Sequence, residues 1–438
     1  MPCLLNLPTE ILTSIYHSIN NIDDVLHLAR TCRQMHAIFA APRARVEIFR
    51  SVIKNTPHHQ TDHQISYLQD LHSTLQTLYS NPTIGFLRPS DKIFTHVDSL
   101  LDSTKPIPDA FVWDTVARWH GMKVLFFNLY LDKSIHESYT HSTPPRAQFK
   151  ESNRYRDKLA AEAPLAPPAG VAIDSAEMIP AQQQGLWRAY ERFYHALTLH
   201  WAAVETLSLA RAASYTTSAE RNARFERIWT QWTDTGSARS LSTKVDVLEV
   251  VEFVWGYLGR KVFQEEDVIV KWVGGTGAIE EFYDEEEPVG TNWLYFVRSM
   301  MRYLRPGHVL ELLLRVVWRG EGEDVGGEEI DRVEYLRRVG FFDESAGVVE
   351  REDEGEEDPD TVFNIGGLQE DVAVGLEAWA EAHGVDVDTE ARWEVYRDKL
   401  WGREMRGRVL LREEGEEALF GRIMGVDRGE IGDRANRP

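Results

Sequence analysis

From Leu4 to Phe39 the apolar side chains fall at helical steps in three short, separately punctuated runs, and this spacing constrains the fold more than any other stretch. Pro8 suits the first position of a helix, where a missing N–H costs nothing, and Glu10 puts negative charge in the first turn. Ile11, Leu12, Ile15, Tyr16 and Ile19 then form a stripe, which Asn20 and Asn21 stop. Asn21 and Asp24 open a second helix carrying Val25, Leu28, Ala29 and Cys32. After Thr31 the phase slips, and Met35, Ile38 and Phe39 make a third face that ends before Pro42. Three helices this short bury too little surface to stand alone. At least one apolar face is expected to be covered by another protein or by the following part of the chain.

These residues carry a resemblance. Leu7-Pro8-x-Glu10-Ile11-Leu12, Ile15 one turn on, Asp24-Val25-Leu26-x-Leu28 and Thr31-Cys32-Arg33 resemble the F-box, the adaptor-binding motif of Skp-cullin-F-box ubiquitin ligases. The resemblance covers about Leu4 to Arg50. Val25 replaces a more usual leucine, and Met35 stands where many members have tryptophan. The resemblance implies that Leu7, Pro8, Ile11, Leu12, Ile15, Val25, Leu26, Leu28 and Cys32 share the work of packing the small helices and meeting a Skp-type adaptor. The adaptor would link the chain to a cullin, making it a non-catalytic substrate receptor. The alternative is an adaptor-bound scaffold or regulatory protein acting outside any ligase.

The remaining chain reads as a larger irregular helical domain, so the expected class is all-α, with residues 1–50 as the F-box and 51–133 as a helical region packing on it. Val46, Ile48, Phe49, Val52 and Ile53 suit a bracing helix, and Ile65 to Leu78 an amphipathic one. Pro108 to Leu131 reads as two buried helices or one kinked at Gly121. Residues 134–180 gather Ser, Thr, Ala and Pro and read as a loop or linker. A helical partner-binding region, 181–345, is expected next. Its best stripe is Leu186, Tyr190, Phe193, Leu197, Trp201, Val204 and Leu207, flanked by helices bearing Phe225, Ile228, Trp229 and Trp232, and Val247 to Leu258 with Thr243 and Asp246 as a capping pair. Asn292 to Leu304, His308 to Trp318 and Ile330 to Val339 read as further helices. Glu350 to Asp360 holds eight acids and anchors an expected flexible insert at 346–375. Helices at 376–424, including one from Asp388 to Leu411, and a fraying tail at 425–438 complete the reading.

Charge narrows the partners. Residues 1–250 hold 25 Lys+Arg against 25 Asp+Glu, and residues 251–438 hold 23 against 45, so the net charge of −22 belongs to the C-terminal part. Without a basic block, nucleic acid is not expected as the primary partner. The two cysteines, Cys3 and Cys32, give no disulfide framework, no leader pattern opens the chain, and no apolar run is long enough to span a bilayer. An intracellular protein without a membrane partner is expected. His58, His59 and His63 suggest metal ligands only superficially, because no carboxylate or cysteine set accompanies them, and a polar loop explains them. Val273 to Ala278 is glycine-rich but lacks the ending of a phosphate loop, and no hydrolase or metalloprotease motif appears. No catalytic residue, cofactor or metal is expected.

Overall fold

The computed structural model describes residues 7–79, 107–131, 180–213, 215–233, 240–258, 306–307, 309–310, 365–386, 388–389, 392–393, 409–412 and 415–426. Every regular element among them is a helix or helical turn, in keeping with the all-α expectation. The chain divides into two compact units, Met1–Phe127 with Ala213–Tyr215, and Asn128–Ala212 with Thr216–Pro438. The division falls ahead of the Pro-rich stretch, not within it. The expected helices at 292–304 and 330–339, most of that at 308–318, the loop 134–179 and the acidic run 350–360 lie outside the described residues.

In the first unit, α1 (Thr9–Ser18), α2 (Ile22–Thr31) and α3 (Arg33–Ala40) follow one another with single-residue or three-residue breaks. Pro8 occupies the cap position of α1, one residue earlier than expected, and its carbonyl accepts the Ile11 and Leu12 N–H groups. The Asn21 side chain caps α2 by accepting from the Asp23 N–H at 2.8 Å. Cys32 does the same for α3, its Sγ accepting from the Met35 N–H at 3.5 Å. Pro42 ends α3 and also starts α4 (Pro42–Asn55) at a position that needs no N–H. All five residues expected to form the buried face of α4, Val46, Ile48, Phe49, Val52 and Ile53, are buried.

Two elements complete this unit. A 3₁₀ turn, Pro57–His59, leads into α5 (Asp62–Tyr79), whose Ile65, Leu68 and Leu71 are buried. The expected polar loop at the histidines is therefore corrected. His58 and His59 are buried, with Trp119 stacked on the first at 5.1 Å, and His59 Nδ1 meets Asp62 at 2.8 Å. Among the described residues no group of His, Cys, Asp and Glu is placed to hold a metal. Residues Asp109–Leu125 form one helix, α6, unbroken at Gly121, because an isolated glycine costs a helix only about 1 kcal/mol and flanking burial of Trp119, Met122 and Leu125 outweighs it.

In the second unit, α7 (Pro180–Ala212) is the longest described helix and buries Leu186, Tyr190, Phe193, Leu197, Trp201, Val204 and Leu207, the whole expected stripe. It packs against α8 (Ser218–Thr233), where Phe225 and Ile228 are buried, and against α9 (Leu241–Val251). Residues 244–251 of α9 are buried on every side, which marks a helix enclosed by neighbours. Its cap is Ser240, whose Oγ accepts from the Thr243 N–H at 3.3 Å, three residues before the expected Thr243. Asp246 is engaged instead by Arg412. A π-helical turn, Glu252–Leu258, continues α9 and buries Phe253, Val254 and Trp255.

Helix α10 (Ile365–Ala382) packs on α9 and begins inside the stretch read as an acidic insert. Gly375 sits where a Cβ would approach Leu241 Cδ1 to 2.5 Å, so the glycine permits the close approach of the two helices. A 3₁₀ turn, Val409–Leu411, and α11 (Glu416–Met424) close the described part, with Gly425 left-handed at φ 70° after the last turn. No helix among the described residues is long and apolar enough to cross a membrane.

Candidate docking surface on the N-terminal helices

The nine residues singled out in the sequence separate by burial. Leu12 and Val25 are fully buried, at 0% exposure, and are interior packing residues. Ile11 is 47% exposed, Pro8 is exposed, and Leu7, Ile15, Leu26, Leu28 and Cys32 are partly buried. The division follows from helical geometry. Residues i and i+4 share a face, so Leu12 and Tyr16 point together into the unit while Ile11 and Ile15 point together along an adjacent shoulder. Thr9, Thr13 and Ser14 complete the opposite side of α1, and the Thr13 and Ser14 hydroxyls donate to carbonyls one turn back. Helix α1 thus carries a wider apolar arc than its own unit covers.

On α2 the buried residues are Ile22, Asp23, Val25 and Ala29, with Leu26 and Leu28 half-buried and Asp24 exposed. Tyr16 ties α1 to α3: its hydroxyl donates to the Met35 carbonyl at 3.0 Å, and its ring stacks on Phe39 at 6.1 Å. Burial, with the Cys32 thiol nearby, pushes the phenol up to about 12, so it stays a donor at all ordinary pH. Cys32 serves mainly as the cap of α3.

The shoulder rests on a rigid support. Phe39 meets Phe49 of α4 edge-on at 5.5 Å, and Phe49 meets Trp113 of α6 at 5.9 Å. Arg50 of α4 donates to the Ile107 carbonyl at 2.9 Å and pairs with Asp109, fixing the start of α6. Farther along, Asp23 of α2, Trp119 and Lys123 of α6, and Asp62, Ser66 and Arg118 form buried polar contacts that sequence spacing did not indicate, because the partners stand 50 to 100 positions apart. Chemically, an exposed apolar shoulder on a braced helix can bind a complementary apolar surface. No protein-family model, curated protein or solved structure matches this chain.

Proposed function

We propose that the chain is the substrate-recognition subunit of a Skp-cullin-F-box type ubiquitin ligase, docking a Skp-type adaptor on the shoulder of α1 and the edge of α2. One observation carries this reading: Ile11, a large aliphatic residue, stands 47% exposed on a helix whose neighbours Leu12 and Tyr16 are at 0%. Pro8 and Ile15 extend the same shoulder, and the Leu-Pro start and Cys-Arg phase shift in the sequence agree with an F-box. Exposed aliphatic residues are unremarkable singly, but exposed Pro8 and Ile11 with half-buried Ile15 along one edge of a helix form an anchor for a partner. In this reading the chain forms no bond itself, and the substrate is read elsewhere, in the helical region from about Leu186 to Trp318.

The test is recovery of the complex from cells expressing the full-length chain or its Ile11→Asp variant. The substitution touches an exposed position, so folding should change by less than about 0.5 kcal/mol. Recovery of the adaptor is expected to fall at least tenfold, and recovery of cullin with it. Equal recovery by both chains would overturn the docking assignment. Adaptor without cullin would favour the scaffold alternative.

A further inference from the structure

Helix α6 is more than a brace. We infer that Trp119 and Lys123 are positioning residues for the docking surface, acting through Asp23, so that the adaptor-binding unit extends to α6. This rests on the adaptor-docking reading above. Asp23 lies in the first turn of α2, and its carboxylate accepts from the Trp119 indole N–H at 2.8 Å while pairing with Lys123. Its side chain is 12% exposed and that of Lys123 is 17% exposed, so both charges are largely withdrawn from water.

The geometry is directional. Trp119 is wholly buried, stacked on His58 at 5.1 Å and edge-on to His59 at 5.1 Å, so its N–H has a fixed aim. Its neighbour in sequence, Arg118, pairs with Asp62 and donates to Ser66 Oγ at 3.2 Å on α5. Helix α6 is therefore held to α4 by Arg50, to α5 by Arg118 and to α2 by Trp119 and Lys123. Between α1, α2 and α3 most contact is apolar, and apolar packing tolerates sliding better than a two-donor carboxylate does. The Asp23 clasp consequently fixes how α2 and its Leu28 edge face a partner, while the α1 shoulder is set by α4 and α3, on which α1 packs. A buried ion pair of this kind adds orientation more readily than net stability.

Binding of purified Skp-type adaptor to the full-length chain, at a temperature well below unfolding, tests this. Lys123→Met keeps the stem and removes the charge, leaving Asp23 with an unmatched carboxylate, and should weaken the adaptor about tenfold. Lys123→Arg should bind within about twofold of the native chain, because the guanidinium can also reach the carboxylate. Asp23→Asn/Lys123→Met leaves no buried charge unpaired but keeps only the Trp119 donor, so it should stay weakened about as much as Lys123→Met, and native affinity in it would overturn the inference. Hydrogen exchange on each variant checks that α4 and α5 remain protected. Native affinity in Lys123→Met, or loss in Lys123→Arg equal to that in Lys123→Met, would overturn the inference while leaving the docking reading intact. A native chain that fails to bind the adaptor would overturn both, which distinguishes the two failures.

Discussion

Replacing Arg412 by alanine is expected to destabilise the second unit by about 3–5 kcal/mol, the usual cost of stripping one partner from a buried ion pair. Arg412 meets Asp246 with both terminal guanidinium nitrogens, and the two side chains are 6% and 8% exposed. Burial drives the Asp246 carboxyl above its ordinary range, and the attraction of Arg412 only partly offsets this, so the pair is costly even when intact. Without Arg412 the carboxylate must be protonated or hydrated. The same arginine donates to the Val409 carbonyl at 2.8 Å, Glu249 accepts the Val409 and Leu410 N–H groups at 2.8 and 3.3 Å, and Arg192 donates to the Leu410 and Arg412 carbonyls. One short turn is thus held by three charged side chains of α7 and α9 together with its own Arg412. Calorimetry of the full chain should show the transition of this unit moved down, and Asp246→Leu/Arg412→Leu should recover a large part of the loss, because removing both charges leaves none stranded. A single variant as stable as the native chain would contradict the buried-pair argument.

Acidification should produce the second large effect, through His200. This imidazole is wholly buried on α7, its Nε2 accepts from the Trp255 indole N–H at 2.9 Å, and Nδ1 has no hydrogen-bond partner among the described residues. Desolvation pushes it from 6.5 down to about 3. The unfolded chain takes up a proton at this site as pH falls through 6.5, and the folded chain does not until about 3. Stability present above pH 6.5 is therefore lost on acidification, at about 1.4 kcal/mol per pH unit and on the order of 5 kcal/mol over the window. His200→Gln retains an acceptor for Trp255 and cannot titrate. Denaturant unfolding between about pH 6 and 4.5, above most carboxylate titration, should show a flatter pH dependence in the variant by about 2 kcal/mol across that range. Parallel curves would show that His200 does not couple to folding.

Helix existence was legible wherever one face is apolar and the other wet. The α4 face follows the three-and-four spacing because tertiary contact on that helix falls on the side the pattern marks, whereas α7 buries its expected stripe and also Tyr194, Thr198, His200 and Glu205, which the stripe did not mark. Helix α10 was hidden for a physical reason. Gly366, Gly367 and Gly375 argue against a helix on propensity, and only the close approach to Leu241 gives Gly375 its purpose. The cap of α9 was misplaced because Thr243 and Asp246 have capping spacing, whereas Asp246 faces a partner 166 residues away. Polar residues have no periodicity that reveals distant partners, and for the same reason the burial of His58 and His59 and the Asp23 clasp escaped the sequence. The spacing singled out nine residues for the proposed docking surface without separating buried from exposed positions. Their division into interior Leu12 and Val25 and outward Pro8 and Ile11 needed the neighbours of α1 and α2 in place.

The docking assignment is tested most directly by hydrogen exchange of the full-length chain with and without purified Skp-type adaptor. Slower exchange is expected across α1 and the adjoining part of α2, centred on Ile11 and Leu28, with α7 and α9 unchanged. Identical exchange in α1 at adaptor concentrations well above micromolar, or slowing confined to the second unit, would contradict it.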